Sequence, residues 1–343
     1  MTTDEQEISD QDELYEHHRF IIENGQTPIR IDKYLFNHMP NISRNRLQNA
    51  CDAGNVIVNG KEARSSYKIK PRDTIQIVLP EPLREKELIP QNIPLNILYE
   101  DDDIIIINKQ AGLVVHPAFG NYSGTLMNGL LFHFQNLPVH KGNLDRPGLV
   151  HRIDKNTSGL LVIARSEIAM NHLAKEFFER TIDRKYLALV WGDFQEDEGT
   201  ITGNVGRNLK DRKIMDVFPE GDQGKHAVTH YKVIERFGYV TLIECKLETG
   251  RTHQIRVHLK YTGHPLFNDE TYGGNKIIKG TTFSKYKQFI ENCFEILPRH
   301  ALHAKTLGFT HPTTRKKVFF DSPLPDDFNG LLEKWRNYSK SRN

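Results

Sequence analysis

Residues 146–159 read Arg-Pro-Gly-Leu-Val-His-Arg-Ile-Asp-Lys-Asn-Thr-Ser-Gly and contain a single acid, Asp154, between two apolar runs. Residues 156–159 are typical of a tight turn that leads into the next strand, which predicts a carboxylate held on a fixed loop. An aspartate is ordinarily ionised at neutral pH, so this one fits a nucleophile or an electrostatic stabiliser better than a general acid. The plainer alternative is a turn residue that pairs with Arg152.

A second stretch, residues 248–265, reads Glu-Thr-Gly-Arg-Thr-His-Gln-Ile-Arg-Val-His-Leu-Lys-Tyr-Thr-Gly-His-Pro. Its pattern predicts a helix over roughly 253–262, ended by Gly263 and Pro265. Arg256 would project from near the helix start toward an anion. The three histidines of this stretch are a weak metal candidate, because residues five apart do not share a helix face and no carboxylate or thiol joins them. We therefore predict no metal site.

Residues 94–330 consist mainly of short β runs. Strands are predicted at 97–99, 104–108, 160–164, 185–191, 227–234 and 240–247, and a helix capped by Ser166 at 166–180. Because strands and helices do not alternate regularly, we predict an α+β domain with a mixed, mainly antiparallel sheet rather than a doubly wound fold. Residues 331–343 are expected to form a basic C-terminal tail.

Residues 28–80 have the character of a small, separate ααβ module. Apolar spacing predicts a helix over 31–39 and a second, capped by Asn41 or Ser43, that runs through Cys51. The β runs of the module lie at 56–58, 67–70 and 74–79, with an Asn-Gly hairpin turn after the first. Residues 81–93 hold two prolines and alternating charge, and are predicted to be a linker.

The formal charge of +2, from 46 bases and 44 acids, hides segments of opposite sign. Residues 1–27 hold eight acids and one base, a net charge of −7, so residues 28–343 carry +9. Within the latter, residues 28–80 hold nine bases and four acids, a net charge of +5. We expect residues 1–27 to be an acidic flexible tail, with a short helix around 14–22, and the basic remainder to suit a nucleic-acid partner.

Composition excludes several classes of protein. With 38% hydrophobic and 26% charged residues, the sequence is typical of a soluble globular protein. No apolar run approaches the roughly 18 residues of a membrane span, and the acidic start differs from a signal peptide, so we expect a cytoplasmic protein without a membrane partner. Its three cysteines form no CxxC pair, and phosphate-loop and dinucleotide motifs are absent from the sequence.

The two stretches together resemble the pseudouridine synthases of the RluA type, and among them the RluD-like members that modify large-subunit ribosomal RNA. The shared motifs occur in family order over residues 28–330; they include His151–Asp154, Gly250–His258, Gly112–Pro117, Arg184–Tyr186, Tyr272–Gly274 and Arg299–Ala304. The basic module resembles the S4-like RNA-binding domain named after a small-subunit ribosomal protein. Three positions depart from the family pattern: Gln110 where Pro is usual, Phe267 where Val is usual and Asn268 where Gly is usual.

The resemblance implies a pseudouridine synthase fold and the isomerisation of specific uridines to pseudouridine in large-subunit ribosomal RNA, without a cofactor. It implies that Asp154 is the nucleophile and that Arg256 pairs with it. It also implies that Tyr186 contacts the target base. Arg152 is expected to fill or stabilise the place that the flipped base leaves.

Arg44 and Arg46 fall in the first turn of a predicted helix, where cations are unfavourable against the helix dipole unless phosphates complete the site. Together with Arg30 and Lys61 they are the predicted RNA contacts. The expected partner is large-subunit ribosomal RNA, free or in an assembling subunit, bound by a monomer. Three alternatives stay open: a non-catalytic RNA-binding assembly factor, a synthase acting on transfer RNA, and a nucleoside hydrolase or glycosidase whose second carboxylate would be Glu248 or Asp269.

Overall fold

The computed structural model describes residues 15–39, 42–79, 88–118, 121–139, 146–211 and 214–341. The chain divides into two compact units, with the boundary between residues 87 and 88. Each unit has its own hydrophobic core. Among the described residues, no helix is both long and apolar enough to cross a bilayer.

The N-terminal unit packs two helices on a four-stranded sheet. Its elements are β1 (Tyr15–Ile21), α1 (Ile31–His38), α2 (Arg44–Asp52), β2 (Val56–Val58), β3 (Lys61–Glu62) and β4 (Thr74–Leu79), and the strand order is β1-β4-β2-β3. Ser43 caps α2 by accepting a hydrogen bond from the amide of Arg46, and the Asn59-Gly60 turn has positive φ at both residues, as an Asn-Gly hairpin requires. Both predicted helices and this hairpin are present, whereas the run at 67–70 makes only an isolated bridge between Lys68 and Arg30.

The prediction that residues 1–27 form an acidic flexible tail is wrong for the C-terminal part of this range. Residues 15–21 form β1, which pairs antiparallel with β4, and the expected short helix is therefore a strand. Phe20 and Ile22 face the core of the N-terminal unit, and Ile22 is 1% exposed. These two core-facing residues are two positions apart, which is the spacing of a strand and not that of a helix. The first fourteen residues lie outside the described part of the chain.

The C-terminal unit is built on one sheet of ten strands. Its elements are β5 (Ile97–Glu100), β6 (Ile104–Lys109), α3 (Leu126–His133), β7 (Ser158–Ala164), α4 (Glu167–Glu179), β8 (Asp183–Trp191), β9 (Glu198–Arg207), β10 (Met215–Phe218), β11 (Lys225–Arg236), β12 (Val240–Leu247), α5 (Gln254–Tyr261), α6 (Ser284–Ile296), β13 (Leu302–Thr310), β14 (Lys317–Asp321) and α7 (Asp326–Lys340). The strand order is β10-β9-β11-β12-β8-β13-β7-β6-β5, with β14 on β13. Among the described strands of this unit, β7 and β13 are the only parallel pair, which confirms the predicted mixed, mainly antiparallel α+β fold.

Apolar side chains cover both faces of this sheet. In β6, Ile105 and Ile107 belong to one core and Ile104 and Ile106 to another on the opposite face, and all four are at most 1% exposed. Successive residues of a strand point to opposite faces, so an unbroken isoleucine run is what a doubly covered central strand requires. The sheet therefore gives a rigid base for the loops at its edges.

Two further predictions about the ends of this unit are wrong. The basic tail predicted at 331–343 is largely helical, because α7 buries a row of apolar residues with helical spacing against α6 and the sheet; these are Phe328, Leu331, Leu332 and Trp335. The predicted linker ends early, since Leu88 and Ile93 pack on the core and the side chain of Asn128 donates a hydrogen bond to the carbonyl of Ile89. Residues 80–87 lie outside the described part.

Candidate active site

One cavity of about 320 Å³ in the C-terminal unit collects all four residues that the sequence assigns to catalysis. Asp154 and Arg152 reach it from the loop before β7, Tyr186 from β8 and Arg256 from α5. Among the described residues that line this cavity, Asp154 is the only acid. The cavity is therefore basic, with one carboxylate in it.

Arg256 joins Asp154 to a second carboxylate behind it. Its Nη1 lies 3.2 Å from Oδ2 of Asp154, while its Nε and Nη2 donate to the two oxygens of Asp269 at 2.7 and 2.9 Å. The side chains of Arg256 and Asp269 are 6% and 1% exposed, whereas that of Asp154 is 20% exposed. Burial alone would lower the pKa of Arg256, but the hydrogen bonds and charge of Asp269 raise it, so the guanidinium stays charged beside Asp154.

Several buried contacts fix the loop that carries Asp154. The amide of Thr157 donates to the carbonyl of Asp154, and Oγ1 of Thr157 lies 2.9 Å from Nε2 of His300. The buried amine of Lys109 donates to the carbonyl of Lys155 at 3.0 Å, and burial lowers the pKa of Lys109 to about 7. The loop is thus held from both sides, which keeps the carboxylate in place.

Close packing of two strands sets the end of the same loop. Gly159 has φ of +109°, and a Cβ there would overlap the backbone of Ala304 on β13. A guanidinium braces this contact, since Nη1 of Arg299 donates to the carbonyl of Asn156 at 3.1 Å. Nε of Arg299 meanwhile donates to Asp327 in the first turn of α7. The C-terminal helix is therefore connected to the loop that carries Asp154 through one buried arginine.

Tyr186 and Arg152 differ in their surroundings. Tyr186 is 7% exposed, and burial raises the pKa of its phenol, so the ring is neutral at pH 7. Arg152 is exposed to solvent at the cavity mouth. An enclosed aromatic can contact a planar base, and an exposed arginine at the entrance can reach the rest of a nucleic acid.

The beginning of α5 supplies a further group beside Asp154. His253 occupies the N-cap with φ of +56°, and its Nε2 lies 3.9 Å from Oδ2 of Asp154. Oε1 of Gln254 accepts a hydrogen bond from the backbone amide of Arg251 at 3.0 Å, and Nε2 of Gln254 donates one to the carbonyl of Val228. This amide holds the helix start against β11. Burial lowers the pKa of His253, so it stands as a neutral imidazole next to the carboxylate.

The predicted RNA contacts lie in the N-terminal unit around a buried acid. Arg30 and Arg44 both pair with Asp32, which is 0% exposed and also accepts a hydrogen bond from Gln48. Burial alone would raise the pKa of Asp32, but these hydrogen bonds lower it to about 2. Arg46 and Lys61 are also exposed. Two of the four bases are therefore held in a fixed orientation.

The described residues contain no cluster of metal-ligating side chains and no second carboxylate opposite Asp154. No group of three His, Cys, Asp or Glu there could hold a metal ion. Glu248 pairs with His230 at 2.6 Å and does not line the cavity. Asp269 is occupied by Arg256. Neither acid faces Asp154 across an open space, as hydrolysis by a pair of carboxylates requires.

Comparison with known proteins identifies the chain. Residues 103–261 match the family described as RNA pseudouridylate synthase, and residues 29–75 match the S4 domain. An uncharacterized RNA pseudouridine synthase of Chlorobaculum parvum is 48% identical over 316 residues, which cover 91% of this chain and 95% of that protein. The chain belongs to the RNA pseudouridine synthases. This synthase is an isomerase whose N-terminal unit is an S4 RNA-binding domain.

One further relative bears on the family of the synthase, and one solved structure bears on its fold. Ribosomal large subunit pseudouridine synthase D of Nitrosomonas europaea is 42% identical over 313 residues, which cover 91% of this chain and 86% of that protein. The solved structure of human RNA Pseudouridylate Synthase Domain Containing 4 matches with a TM-score of 0.50 and 23% identity, over 70% of this chain and 93% of that one. The first relative confirms the resemblance to RluD-like members, and the second supports the fold.

The structure explains one departure of the synthase from the family pattern and adds residues that the sequence left out. Asn268 adopts a φ of +56°, and Asn is the residue other than Gly that most readily accepts this conformation. Its amide donates to the carbonyl of Leu297 at 2.6 Å, so the turn before Asp269 keeps its shape. The sequence indicates Asp269 only as a possible second carboxylate, because its pairing with Arg256 depends on a tertiary contact. The second such residue is Arg184. The motif Arg184–Tyr186 indicates it, because the side chains of Arg184 and Tyr186 are two residues apart on one strand and both line the cavity.

Proposed function

We propose that this synthase converts specific uridines of large-subunit ribosomal RNA to pseudouridine, with Asp154 as its nucleophile. The observation that carries the proposal is a single carboxylate, 20% exposed, held by a buried arginine in a basic cavity. The name of the relative from Nitrosomonas europaea, ribosomal large subunit pseudouridine synthase D, supports the substrate. The S4 domain supports binding to structured RNA.

The reaction is an isomerisation, so no atom is gained or lost overall. Asp154 attacks the target uridine, at the uracil ring or at the ribose carbon, and the glycosidic bond breaks. The uracil turns within the cavity and its C5 forms a bond to the ribose carbon. The bond to Asp154 breaks and restores the carboxylate, and the proton that leaves C5 is balanced by a proton gained at N1. No oxidant, phosphate donor or metal takes part in this sequence, so we propose that the synthase needs no cofactor.

The neighbours of Asp154 have separate roles in this proposal. Arg256 orients the carboxylate and places a fixed positive charge beside it, because Asp269 holds the guanidinium from behind. Tyr186 contacts the target base as a neutral phenol. Arg152 stands at the cavity mouth and fills the place that the flipped base leaves.

The cost of base flipping favours an unpaired target. Extruding a base from a duplex costs a few kcal/mol and less from a loop, while stacking one base on an aromatic ring recovers about 1 to 3 kcal/mol. A single tyrosine in the cavity wall therefore suits a loop or bulge better than a regular helix. Arg30, Arg44, Arg46 and Lys61 would bind phosphates of the surrounding RNA. We propose that the synthase acts as a cytoplasmic monomer, on free RNA or on an assembling subunit.

Mapping of pseudouridines in a strain that lacks the gene tests the substrate. We expect specific sites in large-subunit ribosomal RNA to lose pseudouridine, and to regain it with the wild-type gene but not with Asp154→Asn. Asp102→Asn, at an exposed aspartate of the turn between β5 and β6, is the matched control and should restore every site. If pseudouridine were lost only from transfer RNA, the substrate would be transfer RNA and not ribosomal RNA. Restoration by Asp154→Asn would favour a non-catalytic assembly factor instead.

A further inference from the structure

A buried guanidinium in the cavity wall has no counter-charge among the described residues. Arg184 is 9% exposed, and its Nε is enclosed without an acceptor. No described residue forms a hydrogen bond or an ion pair with this side chain. An unpaired buried charge is strongly destabilising unless a counter-charge or a ligand compensates it. Arg184 therefore indicates an anion that the protein alone does not supply.

The strand places this guanidinium beside the catalytic residues. Arg184 and Tyr186 are two residues apart on β8, so their side chains lie on the same face of the sheet, and both line the cavity that contains Asp154. The guanidinium carbon lies 5.2 Å from the ring centroid of Phe177. On another side, a Cβ at Gly250 would come within 3.1 Å of Nη1 of Arg184, so the glycine leaves room for the guanidinium.

A second donor without an acceptor lies in the same wall. The amide of Val162 donates to Nε2 of His151 at 3.0 Å, so Nδ1 of the neutral ring carries the proton. Burial lowers the pKa of His151 to about 3, in agreement with a neutral ring. Nδ1 is enclosed and has no acceptor among the described residues. The ring of His151 stacks on Phe177 with centroids 4.6 Å apart, so Phe177 contacts both unpaired donors.

The other cations of the cavity are committed elsewhere. Arg256 pairs with Asp154 and Asp269, and Nε of Arg251 donates to the carbonyl of His226 at 3.1 Å. Arg152 is exposed to solvent. Arg184 is thus the buried cation that remains for a ligand. The substrate class must then bring one anionic group deep into the cavity, together with the base that Tyr186 contacts.

We propose that Arg184, assisted by Nδ1–H of His151, binds a phosphate that flanks the target uridine and so fixes the flipped nucleotide in front of Asp154. This inference rests on the proposed function, because RNA carries one phosphate on each side of every ribose. A guanidinium matches two phosphate oxygens with two parallel N–H groups, which sets orientation as well as affinity. The same contact discriminates against free uridine, which has no phosphate.

Substitution of Arg184 gives the first test, with large-subunit ribosomal RNA transcript as the probe. We expect Arg184→Met to lower kcat/KM by roughly 10- to 100-fold, and the slope of log affinity against log salt to fall by about 0.7. Arg184→Lys should keep the slope and recover part of kcat/KM, since it keeps the charge without the fork. Lys185→Met is the matched control, because Lys185 is the next residue of β8, points to the other face and pairs with Glu244. Wild-type values for folded Arg184→Met would overturn the inference.

Neutral phosphates in the RNA give a second test that needs no stable variant. Short RNAs that contain the mapped uridine are made with one methylphosphonate, on its 5′ side, on its 3′ side or three nucleotides away. We expect one flanking position to reduce conversion by wild type about as much as Arg184→Met does on unmodified RNA. Arg184→Met should convert the RNA with a methylphosphonate at that position no more slowly than it converts unmodified RNA. Equal conversion of all three RNAs by wild type would overturn the inference. So would a methylphosphonate that slows Arg184→Met by the same factor as it slows wild type.

Failure of the proposed function would look different. If wild type converted no uridine in any RNA, the proposed function would fall. The salt dependence of RNA binding would still report on Arg184, since it needs no turnover. An unchanged slope in Arg184→Met would then also reject the phosphate contact, whereas a smaller slope would support it.

Discussion

Arg256 donates two hydrogen bonds to Asp269, from Nε at 2.7 Å and from Nη2 at 2.9 Å, and so presents Nη1 to Asp154. Because the planar guanidinium is held at two points, its third nitrogen has a fixed direction. The geometry of the candidate nucleophile therefore depends on a carboxylate that does not line the cavity.

Substitution of Asp269 is expected to affect stability and activity together. Asp269→Asn removes the negative charge behind a buried guanidinium, which should cost roughly 3 kcal/mol of unfolding free energy. It should also lower kcat/KM on the order of 10- to 100-fold, because Arg256 loses its fixed orientation. Denaturant unfolding and pseudouridine formation measure the two effects. Asp197→Asn, which breaks an exposed pair with Arg236, is the control and should change stability by less than about 1 kcal/mol.

The C-terminal helix is expected to be essential to the fold. Trp335 is 0% exposed in the core that α7 forms with α6, so Trp335→Ala should lower the unfolding free energy by about 3 to 5 kcal/mol. Asn337→Ala, on the exposed side of the same helix, should change it by less than about 0.5 kcal/mol. Equal stability of the two variants in urea would contradict the burial of this helix.

Part of the fold could be predicted from local pattern, and the errors have physical reasons. The isoleucine run of β6 and the alternation in β12 indicate strands by themselves. In β9, by contrast, Gly199, Gly203 and Gly206 give the segment low strand propensity, and pairing with β10 and β11 decides its conformation.

The helical spacing of Phe328, Leu331 and Trp335 was readable in the sequence, so α7 could have been predicted. The loop that carries Asp154 was recognisable because this residue and its turn are contiguous in the sequence. The support of Arg256 by Asp269 and the position of Arg184 depend on contacts between distant segments. Motif spacing shows only that such residues are present, and packing decides which of them meet.

Acid is expected to destabilise the synthase through its buried histidines. His303 is 0% exposed between Ser158 and Ser322, and burial lowers its pKa to about 4 from an ordinary value near 6.5. The unfolded state therefore binds the proton more tightly, and this contribution to stability, present above pH 6.5, is lost as the pH falls toward 4. We expect about 2 kcal/mol less from this group at pH 5 than at pH 7. Denaturant unfolding of His303→Asn should show a shallower dependence on pH in that window; the same slope as wild type would exclude His303 as its source.

RNA affinity is expected to depend on salt through the N-terminal unit. Arg46 and Lys61 are exposed, so Arg46→Ala combined with Lys61→Ala should reduce the slope of log affinity against log salt by about 1.5 without loss of stability. Glu62→Ala, at the exposed neighbour of Lys61, is the control and should not reduce the slope. Filter binding to ribosomal RNA between 50 and 200 mM salt, roughly the range over which phosphate contacts dominate, measures it. A slope unchanged by the double substitution would remove both residues from the RNA interface.

Tritium release from RNA that carries 5-³H-uridine tests the central claim most directly, because formation of the new carbon–carbon bond expels the hydrogen at C5. With large-subunit ribosomal RNA transcript, we predict release by the wild-type synthase and by Asp102→Asn. We predict none above background by a folded Asp154→Asn variant, even at enzyme excess. Release by Asp154→Asn at a rate near that of wild type would contradict the assignment of Asp154 as the nucleophile.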